Sequence, residues 1–214
     1  MAEKNYRAFT GLTGFYYKTL GDEEGVQAVT DPERIKYLQE ISVSKEQSIE
    51  KAYGDNVPAE LAVASGTTEV EATFHKLPLE DRVNLYGLHQ TEEGAVFVGE
   101  STPPYTACIF QKTMEDGSSE YVGLFKGIFT LPEISGNTKE DGVEFSQDQS
   151  NAEFMPVEVE GIDGMQSYVL GHDPKGSTKM RDYIWEKVFG AKPTEDDLVT
   201  SEPAGETPNE DLGA

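Results

Sequence analysis

Apolar and polar side chains alternate along several segments of the chain, and this period of two constrains the fold more than any other sequence feature. The clearest example is residues 67–76, TTEVEATFHK, in which Val70, Ala72 and Phe74 alternate with polar residues. Side chains of a β-strand point alternately to its two faces, so this segment predicts a strand with one buried face. Strands are likewise predicted over residues 9–20, 34–44, 95–98, 105–114, 121–131, 141–147, 153–160 and 166–170, which makes the chain mainly β.

Two segments have the patterning of a helix instead. Residues 78–88 begin with proline, carry acidic residues in the first turn and can place their apolar side chains on one stripe. Residues 177–189 repeat apolar side chains at helical spacing, and Gly190 follows where a helix would end. We therefore expect one short helix in the middle of the chain and one near its C-terminus.

The chain is strongly acidic, with 40 Asp and Glu residues against 17 Lys and Arg residues and a formal net charge of −23. Such a surface repels nucleic acid and anionic membranes at physiological salt. No stretch approaches the roughly 20 apolar residues of a membrane span, and the first residues lack the apolar segment of a signal peptide. We therefore expect a protein that is made in the cytoplasm and does not bind a membrane.

Residues that carry catalytic or metal chemistry are few and scattered. Cys108 is the only cysteine, which excludes an intramolecular disulfide, and its apolar neighbours predict a buried side chain. His75, His89 and His172 do not have the spacing of a metal site. No nucleophile elbow, phosphate loop or zinc-protease motif is present. The sequence therefore predicts a protein that is not an enzyme and holds no metal or cofactor.

Two segments differ in composition from the strands around them. Residues 50–66 combine turn-forming residues with apolar ones, and an excursion of this length and character usually has a function or is disordered. Residues 191–214 are acidic and are interrupted by proline, which predicts a flexible tail. We expect one β-domain over residues 1–190, followed by the acidic tail over residues 191–214.

The order of the segments resembles that of the major tail proteins of long-tailed, non-contractile bacteriophages (siphophages) of Gram-positive bacteria. The strongest similarity is YVGLFKGIF at residues 121–129, which resembles an aromatic-rich strand of that family and follows a turn at Asp116 and Gly117. The resemblance covers residues 9–165. Other segments that fit the family in order are GLTGFYY at residues 11–17, AYGDN at 52–56, EVEATFHKLPL at 69–79, PPYTA at 103–107 and TKED at 138–141.

The resemblance implies a β-sandwich or half-open barrel with a short plugging helix, a long extended loop or arm, and a C-terminal helix at residues 177–189. It also implies a structural virion protein, the major tail tube subunit, whose copies form hexameric rings stacked into the conduit for DNA ejection. Neighbouring copies in such a ring can pair the sheet edges that one chain leaves open.

The resemblance also places the unusual segments in this assembly. Residues 50–66 are expected to form an arm that becomes ordered against the adjacent ring. Glu69 and Glu71 are expected to contribute to a negatively charged lumen, which DNA passes without specific binding. The implied partners are other copies of the chain, the tape measure protein, the tail terminator and the distal tail or baseplate proteins. Candidate contact residues in the arm are Tyr53, Val57, Leu61 and Val63.

Two other interpretations remain open at this point. A tail-completion, connector or secretion-tube protein of similar fold would form rings without lengthening into a tube. A monomeric carbohydrate-binding β-sandwich would expose aromatic side chains on one sheet face, and Tyr121 and Phe125 are the candidates.

Overall fold

A computed structural model of the chain describes residues 6–21, 31–54, 57–134 and 147–198. The strand predicted over residues 141–147 lies outside these residues except for its last position. The helices are α1 (Leu79–Tyr86), α2 (Lys179–Phe189) and α3 (Glu195–Leu198). The strands are β1 (Phe9–Leu20), β2 (Glu33–Ile35), β3 (Leu38–Gly54), β4 (Val57–Phe74), β5 (His89–Gln90), β6 (Val96–Phe97), β7 (Tyr105–Met114), β8 (Ser119–Thr130), β9 (Asp148–Phe154), β10 (Val157–Glu158), β11 (Met165–Gln166) and β12 (Tyr168–Asp173).

One antiparallel sheet in the order β2-β1-β7-β8-β9-β4-β3 forms the body of the protein, and β12 and β9 pair with successive parts of β8. The chain passes from β2 at one edge to β3 at the other through Lys36 and Tyr37 alone. This link holds the Cα atoms of Ile35 and Leu38 within about 11 Å of each other, so the two edges are close and the sheet is curled. The β-sandwich or half-open barrel that the family resemblance implied is confirmed.

The interior of the barrel is filled by one cluster of buried aromatic and aliphatic side chains. Phe15 of β1 and Phe74 of β4 meet edge to face there, with ring centroids 5.2 Å apart. Helix α1 contributes the buried Leu85 and Tyr86, and the Tyr86 hydroxyl forms a hydrogen bond of 2.7 Å with Ser150. The predicted short helix is therefore present and plugs the barrel.

Helix α2 packs on the outer face of β7, β8 and β12 and forms a second buried cluster. Trp185 lies at its centre, with ring centroids 5.0 Å from Tyr16 and 5.1 Å from Phe189. A Cβ atom on Gly123 of β8 would lie only 2.7 Å from Val188 Cγ2, so glycine is needed for this close approach. The predicted C-terminal helix is thus an integral part of the fold.

Asp173, the last residue of β12, anchors the beginning of α2. Its carboxylate accepts the backbone N–H groups of Met180 and Arg181, each at 3.0 Å, and the Ser177 hydroxyl at 2.8 Å. Thr178, at the N-cap position of the helix, makes no side-chain capping bond, so Asp173 supplies the acceptors of the first turn. Burial raises the pKa of Asp173, but these hydrogen bonds outweigh burial and leave the pKa below its ordinary value.

The main difference from the sequence prediction concerns residues 50–66. They were expected to form a long extended loop or arm, and β3 and β4 continue through them as the outer half of a long hairpin. The glycine and proline that suggested a loop, Gly54 and Pro58, lie close to the tip of this hairpin. Signals that belong to the tip of one hairpin were therefore read as signals for a whole loop.

Three smaller differences concern the boundaries of elements. The strand predicted over residues 34–44 is interrupted at Lys36 and Tyr37, where Tyr37 has a positive φ of 63°. The strand predicted over residues 153–160 is divided into the end of β9 and the short β10. Helix α3 lies within residues 191–214, where a flexible tail was expected, and residues 199–214 are outside the described part of the chain.

Candidate assembly surfaces

The outer half of the β3–β4 hairpin, here called the arm, consists of residues 46–54 and 57–67. Thr68, paired with Phe154, is the last residue on this side of β4 that also pairs with β9. Beyond it the two strands pair only with each other within the described residues, for example at Ile49–Val63 and Lys51–Leu61. The arm therefore projects from the barrel as a two-stranded ribbon.

One face of the arm continues the core-facing side of the barrel. Ile41 and Val43 of β3 pack against the barrel interior, and by strand alternation Ile49 and Tyr53 lie on the same side. Between the pairs Lys45–Thr68 and Gln47–Ser65, β4 contains one extra residue. Because of this bulge, Val63 and Leu61, which pair with Ile49 and Lys51, also lie on the core-facing side.

The side chains of this face are uncovered. Ile49, Tyr53, Leu61 and Val63 are 64%, 66%, 63% and 63% exposed. We call these four side chains the apolar face of the arm. A two-stranded ribbon with an apolar face is marginally stable by itself in water, so a second surface is needed to cover it.

Three of the four sequence-predicted contact residues, Tyr53, Leu61 and Val63, lie together on this face. Val57 pairs with Gly54 through its backbone at the tip, and its side chain lies outside the described part of the chain. Ile49 was missed because the predicted arm began at residue 50. Its pairing with Val63 would have been found from the sequence if both strands had been extended as one hairpin.

The opposite, solvent-facing side of β4 is acidic. Glu69 pairs with Ser44 on one side and with Glu153 of β9 on the other, and Glu71 lies between Ser42 and Asn151. Both glutamates are exposed. Like charges directly opposite each other in a sheet are destabilising, so the Glu69–Glu153 pair is a cost to the isolated chain. Sequence reasoning found Glu69 and Glu71 but not Glu153, which a different strand brings beside them.

Three strands of the main sheet have one open edge within the described part of the chain. β2 pairs only with β1. β3 pairs only with β4, and β12 pairs only with β8. Open edges present unpaired N–H and C=O groups that another strand can use. They are therefore candidate surfaces for association with further copies.

A buried polar cluster joins α1 to β1 and β2. The Tyr17 hydroxyl lies 2.8 Å from both Glu33 Oε2 and Asp81 Oδ1, and Asn84 Nδ2 donates to its oxygen at 3.3 Å. A hydroxyl donates one proton, so the second of the two carboxyl contacts requires a protonated carboxyl group. Burial, the largest cause, raises the pKa of Asp81 to about 6; the charge of Glu33 adds to the rise, and the Tyr17 hydrogen bond opposes it. Attachment of the helix is therefore linked to pH.

The remaining candidate groups have structural positions. Cys108 is fully buried and burial raises the pKa of its thiol, which makes it unreactive. Tyr121 and Phe125 are buried beneath α2, so the exposed aromatic platform expected of a carbohydrate-binding sandwich is wrong for these residues. The described residues contain no group of three metal-ligating side chains. Nor does any helix among them have the length and apolar character that crossing a membrane requires.

Comparison with known proteins agrees with this architecture. A model of the phage tail tube protein family matches residues 22–164, which is more than half of the chain and includes α1, the arm and the barrel strands from β2 to β9. A search of curated protein sequences gives no match. The chain therefore belongs to the phage tail tube protein family.

Proposed function

We propose that the chain is the major tail tube subunit of a siphophage, and that its copies form hexameric rings stacked into the conduit for DNA ejection. Membership of the family makes it a structural virion component that assembles into a tube with other tail proteins. The ring, its stacking and the passage of DNA are what we propose in addition. The observation that carries the proposal is the apolar face of the arm, which is uncovered within the described part of the chain.

The length of the arm supports a contact between rings. Nine residues of β3, from 46 to 54, span roughly 30 Å at about 3.3 Å per residue. The radius of gyration of a domain of this size is about 16 Å, which corresponds to a width of about 40 Å, so the arm is about three quarters as long as the domain is wide. A ribbon of this length can contact a subunit beyond the surface from which it projects, and the adjacent ring is the surface that we propose covers its apolar face.

The acidic side of β4 and β9 supports a wall that does not bind DNA. Phosphate groups are held on protein surfaces mainly by counterion release at basic side chains, and this surface presents carboxylates instead. We propose that Glu69 and Glu71, together with Glu153, face the lumen. Replacing Glu69 and Glu71 by lysine in the phage is expected to slow DNA ejection. The matched control replaces Glu92 and Glu93, two exposed acids in the β5–β6 turn, and unchanged ejection in both variants would exclude the lumen assignment.

The proposed partners follow from the same assembly. Beyond other copies of the chain, a tube of defined length requires a tape measure protein along its axis, a tail terminator at one end and distal tail or baseplate proteins at the other. Each of these would meet either an uncovered arm or the surface that receives an arm.

Electron microscopy of the purified chain tests the proposal. The wild-type protein is expected to form long tubes as its concentration rises. In a hairpin-shortened variant, an Asn-Gly turn replaces residues 49–63 and connects Ser48 to Ala64. These two residues already pair in the structure. The variant is expected to remain folded and to form no tubes. Normal tubes from this variant would show that the arm is not the contact between rings.

The same images separate the alternative functions. Isolated rings from the wild-type chain at every concentration would indicate a tail-completion or connector protein. Particles that stay monomeric at high concentration would contradict assembly altogether.

A further inference from the structure

A small cavity with both polar and apolar lining residues lies between α2 and the outer face of β1 and β7, beside α3. Its volume is about 230 Å³. The cavity is separate from the arm and from the acidic side of β4. The residues of its lining that matter here are Arg34, Gln111, Tyr121, Arg181, Trp185 and Leu198.

Two guanidinium groups converge on this cavity, although the chain has only 17 basic residues against 40 acidic ones. Arg34 Nε is buried and has no hydrogen-bond partner among the described residues. The guanidinium of Arg34 lies over the Tyr16 ring, 5.6 Å from its centroid. Arg181 is paired with its neighbour Asp182 at 2.8 Å. A guanidinium carries five N–H donors, so the two side chains have more donors than these contacts use.

A buried guanidinium donor without an acceptor is costly, and a carboxylate is its natural partner. Arg binds carboxylates through two parallel N–H···O bonds, which are shorter and stronger than neutral hydrogen bonds. Burial raises the pKa of the Tyr16 hydroxyl, and the charges of Arg34 and Arg181 oppose that rise. The charge of Asp197 in α3 adds to the rise, but Asp197 forms its hydrogen bonds with Thr194 and not with either arginine. Both cations therefore act on the same small region of the cavity wall.

The chain itself delivers carboxylates to this place. Leu198, the last residue of α3, lines the cavity, and the chain continues from it into residues 199–214, VTSEPAGETPNEDLGA. This acidic segment contains Glu202, Glu206, Glu210 and Asp211 and no basic residue. Glu202 follows Leu198 by four residues, which reach up to about 14 Å when extended. A carboxylate held on so short a tether has an effective concentration on the order of millimolar at its own cavity.

We propose that the two-arginine cavity binds a carboxylate of the chain's own acidic segment, with Glu202 the first residue within reach. Binding satisfies the Arg34 guanidinium and brings the acidic segment back against α2 and α3. The inference is independent of the proposed ring assembly, because it concerns a contact within one chain.

Energy transfer from the single tryptophan tests this contact in the full-length protein. Trp185 lies in the cavity wall and is the only tryptophan in the chain. An acceptor dye is attached to an Ala204→Cys variant, and Cys108 does not compete for the dye because it is fully buried. Transfer is expected to be efficient at low salt, to fall as salt screens the ion pairs, and to be independent of protein concentration.

Charge-neutralising variants identify the two partners. Arg34→Gln is expected to lower the ratio of bound to free segment about 10-fold to 150-fold, since a hydrogen bond to a charged group contributes about 1.5–3 kcal/mol. Glu202→Gln with Glu206→Gln is expected to lower this ratio by a similar factor. The control, Glu92→Gln with Glu93→Gln, changes the net charge equally at two exposed positions and is expected to have no effect.

Three results would overturn the inference. Equal transfer in the wild type and in the Glu202→Gln/Glu206→Gln variant would show that the acidic segment does not bind through these carboxylates. An equal loss in the Glu92→Gln/Glu93→Gln control would reduce the effect to net charge. Transfer that rises with protein concentration would place the segment on another copy.

Discussion

The apolar face of the arm leads to a prediction that separates assembly from folding. The change is Leu61→Ser with Val63→Ser, which removes nearly all of the apolar surface that β4 contributes to this face. The matched control is Ala62→Ser with Ala64→Ser, two exposed residues of the same strand that alternate with them onto the opposite face. Both variants introduce two serines into the same ribbon, so the control shows the effect of adding two hydroxyl groups there.

The size of the effect follows from the exposed fractions. Leu61 and Val63 are each 63% exposed, so nearly two thirds of their surface is still available for burial in an assembly. Complete burial of such a side chain contributes about 1.5–3 kcal/mol, so each position contributes about 1–2 kcal/mol and the pair about 2–4 kcal/mol. Since about 1.4 kcal/mol corresponds to a factor of ten, the critical concentration for tube formation is expected to rise about 30-fold to several hundred-fold.

Sedimentation of tubes over a range of protein concentrations measures the critical concentration, and urea unfolding of dilute protein measures stability. The free energy of unfolding is expected to change by less than about 0.5 kcal/mol in both variants, because exposed positions contribute little to the folded monomer. An unchanged critical concentration in the Leu61/Val63 variant would refute the proposed role of the arm. So would an equal rise in the Ala62/Ala64 control.

Three further predictions concern the barrel and its helices. The raised pKa of Asp81 means that its contribution to stability is complete below about pH 4 and is lost as the pH rises through 6. Asp81→Asn should remove this loss, so urea unfolding should show the variant gaining about 3 kcal/mol of stability relative to the wild type between pH 4 and pH 7.5. A difference between the two proteins that does not change with pH would contradict the assignment. Asp173→Ala removes the acceptors at the start of α2 and should lower the free energy of unfolding by about 2–4 kcal/mol, with a loss below 1 kcal/mol speaking against this anchoring role. Gly127→Ala would place a methyl group 2.5 Å from the Phe154 ring, and thermal unfolding should show a loss of stability of about 1–3 kcal/mol. In the control, Gly99→Ala, the added methyl group has no atom within 4 Å, so almost no stability should be lost. Equal losses in the two variants would contradict the packing argument.

The strands that the sequence predicted best are those whose pattern is decided locally. The strand predicted over residues 105–114 has the same bounds as β7, because a long apolar run ends there at a glycine-containing turn. Helix α1 was found from its proline, its first-turn acids and its apolar stripe, each of which acts within a few residues. The mixed composition of residues 50–66 also singled out Tyr53, Leu61 and Val63, and the family resemblance implied their role as candidate contacts.

The features that sequence reasoning missed depend on residues far apart in the chain. Arg34 and Arg181 line one cavity because β1 pairs with β2 on one side and α2 packs above it, and no local pattern connects them. Glu153 lies beside Glu69 only because β9 pairs with β4. The side to which the arm turns its apolar residues depends on one bulged residue in β4, and a change of register by one residue would reverse every side chain of that strand.

The sheet order also determines when during folding the arm first exists. β3 and β4 are consecutive and form a hairpin of local contacts, which closes in microseconds, whereas β1 pairs with a strand a hundred residues later, as at Phe9–Met114. Such long-range pairing is slow and takes milliseconds to seconds. A newly made chain thus exposes the apolar face of its arm well before its barrel has closed. Partly folded chains at high concentration would aggregate through these arms. The yield of native protein should therefore fall steeply when the chain is refolded at high concentration.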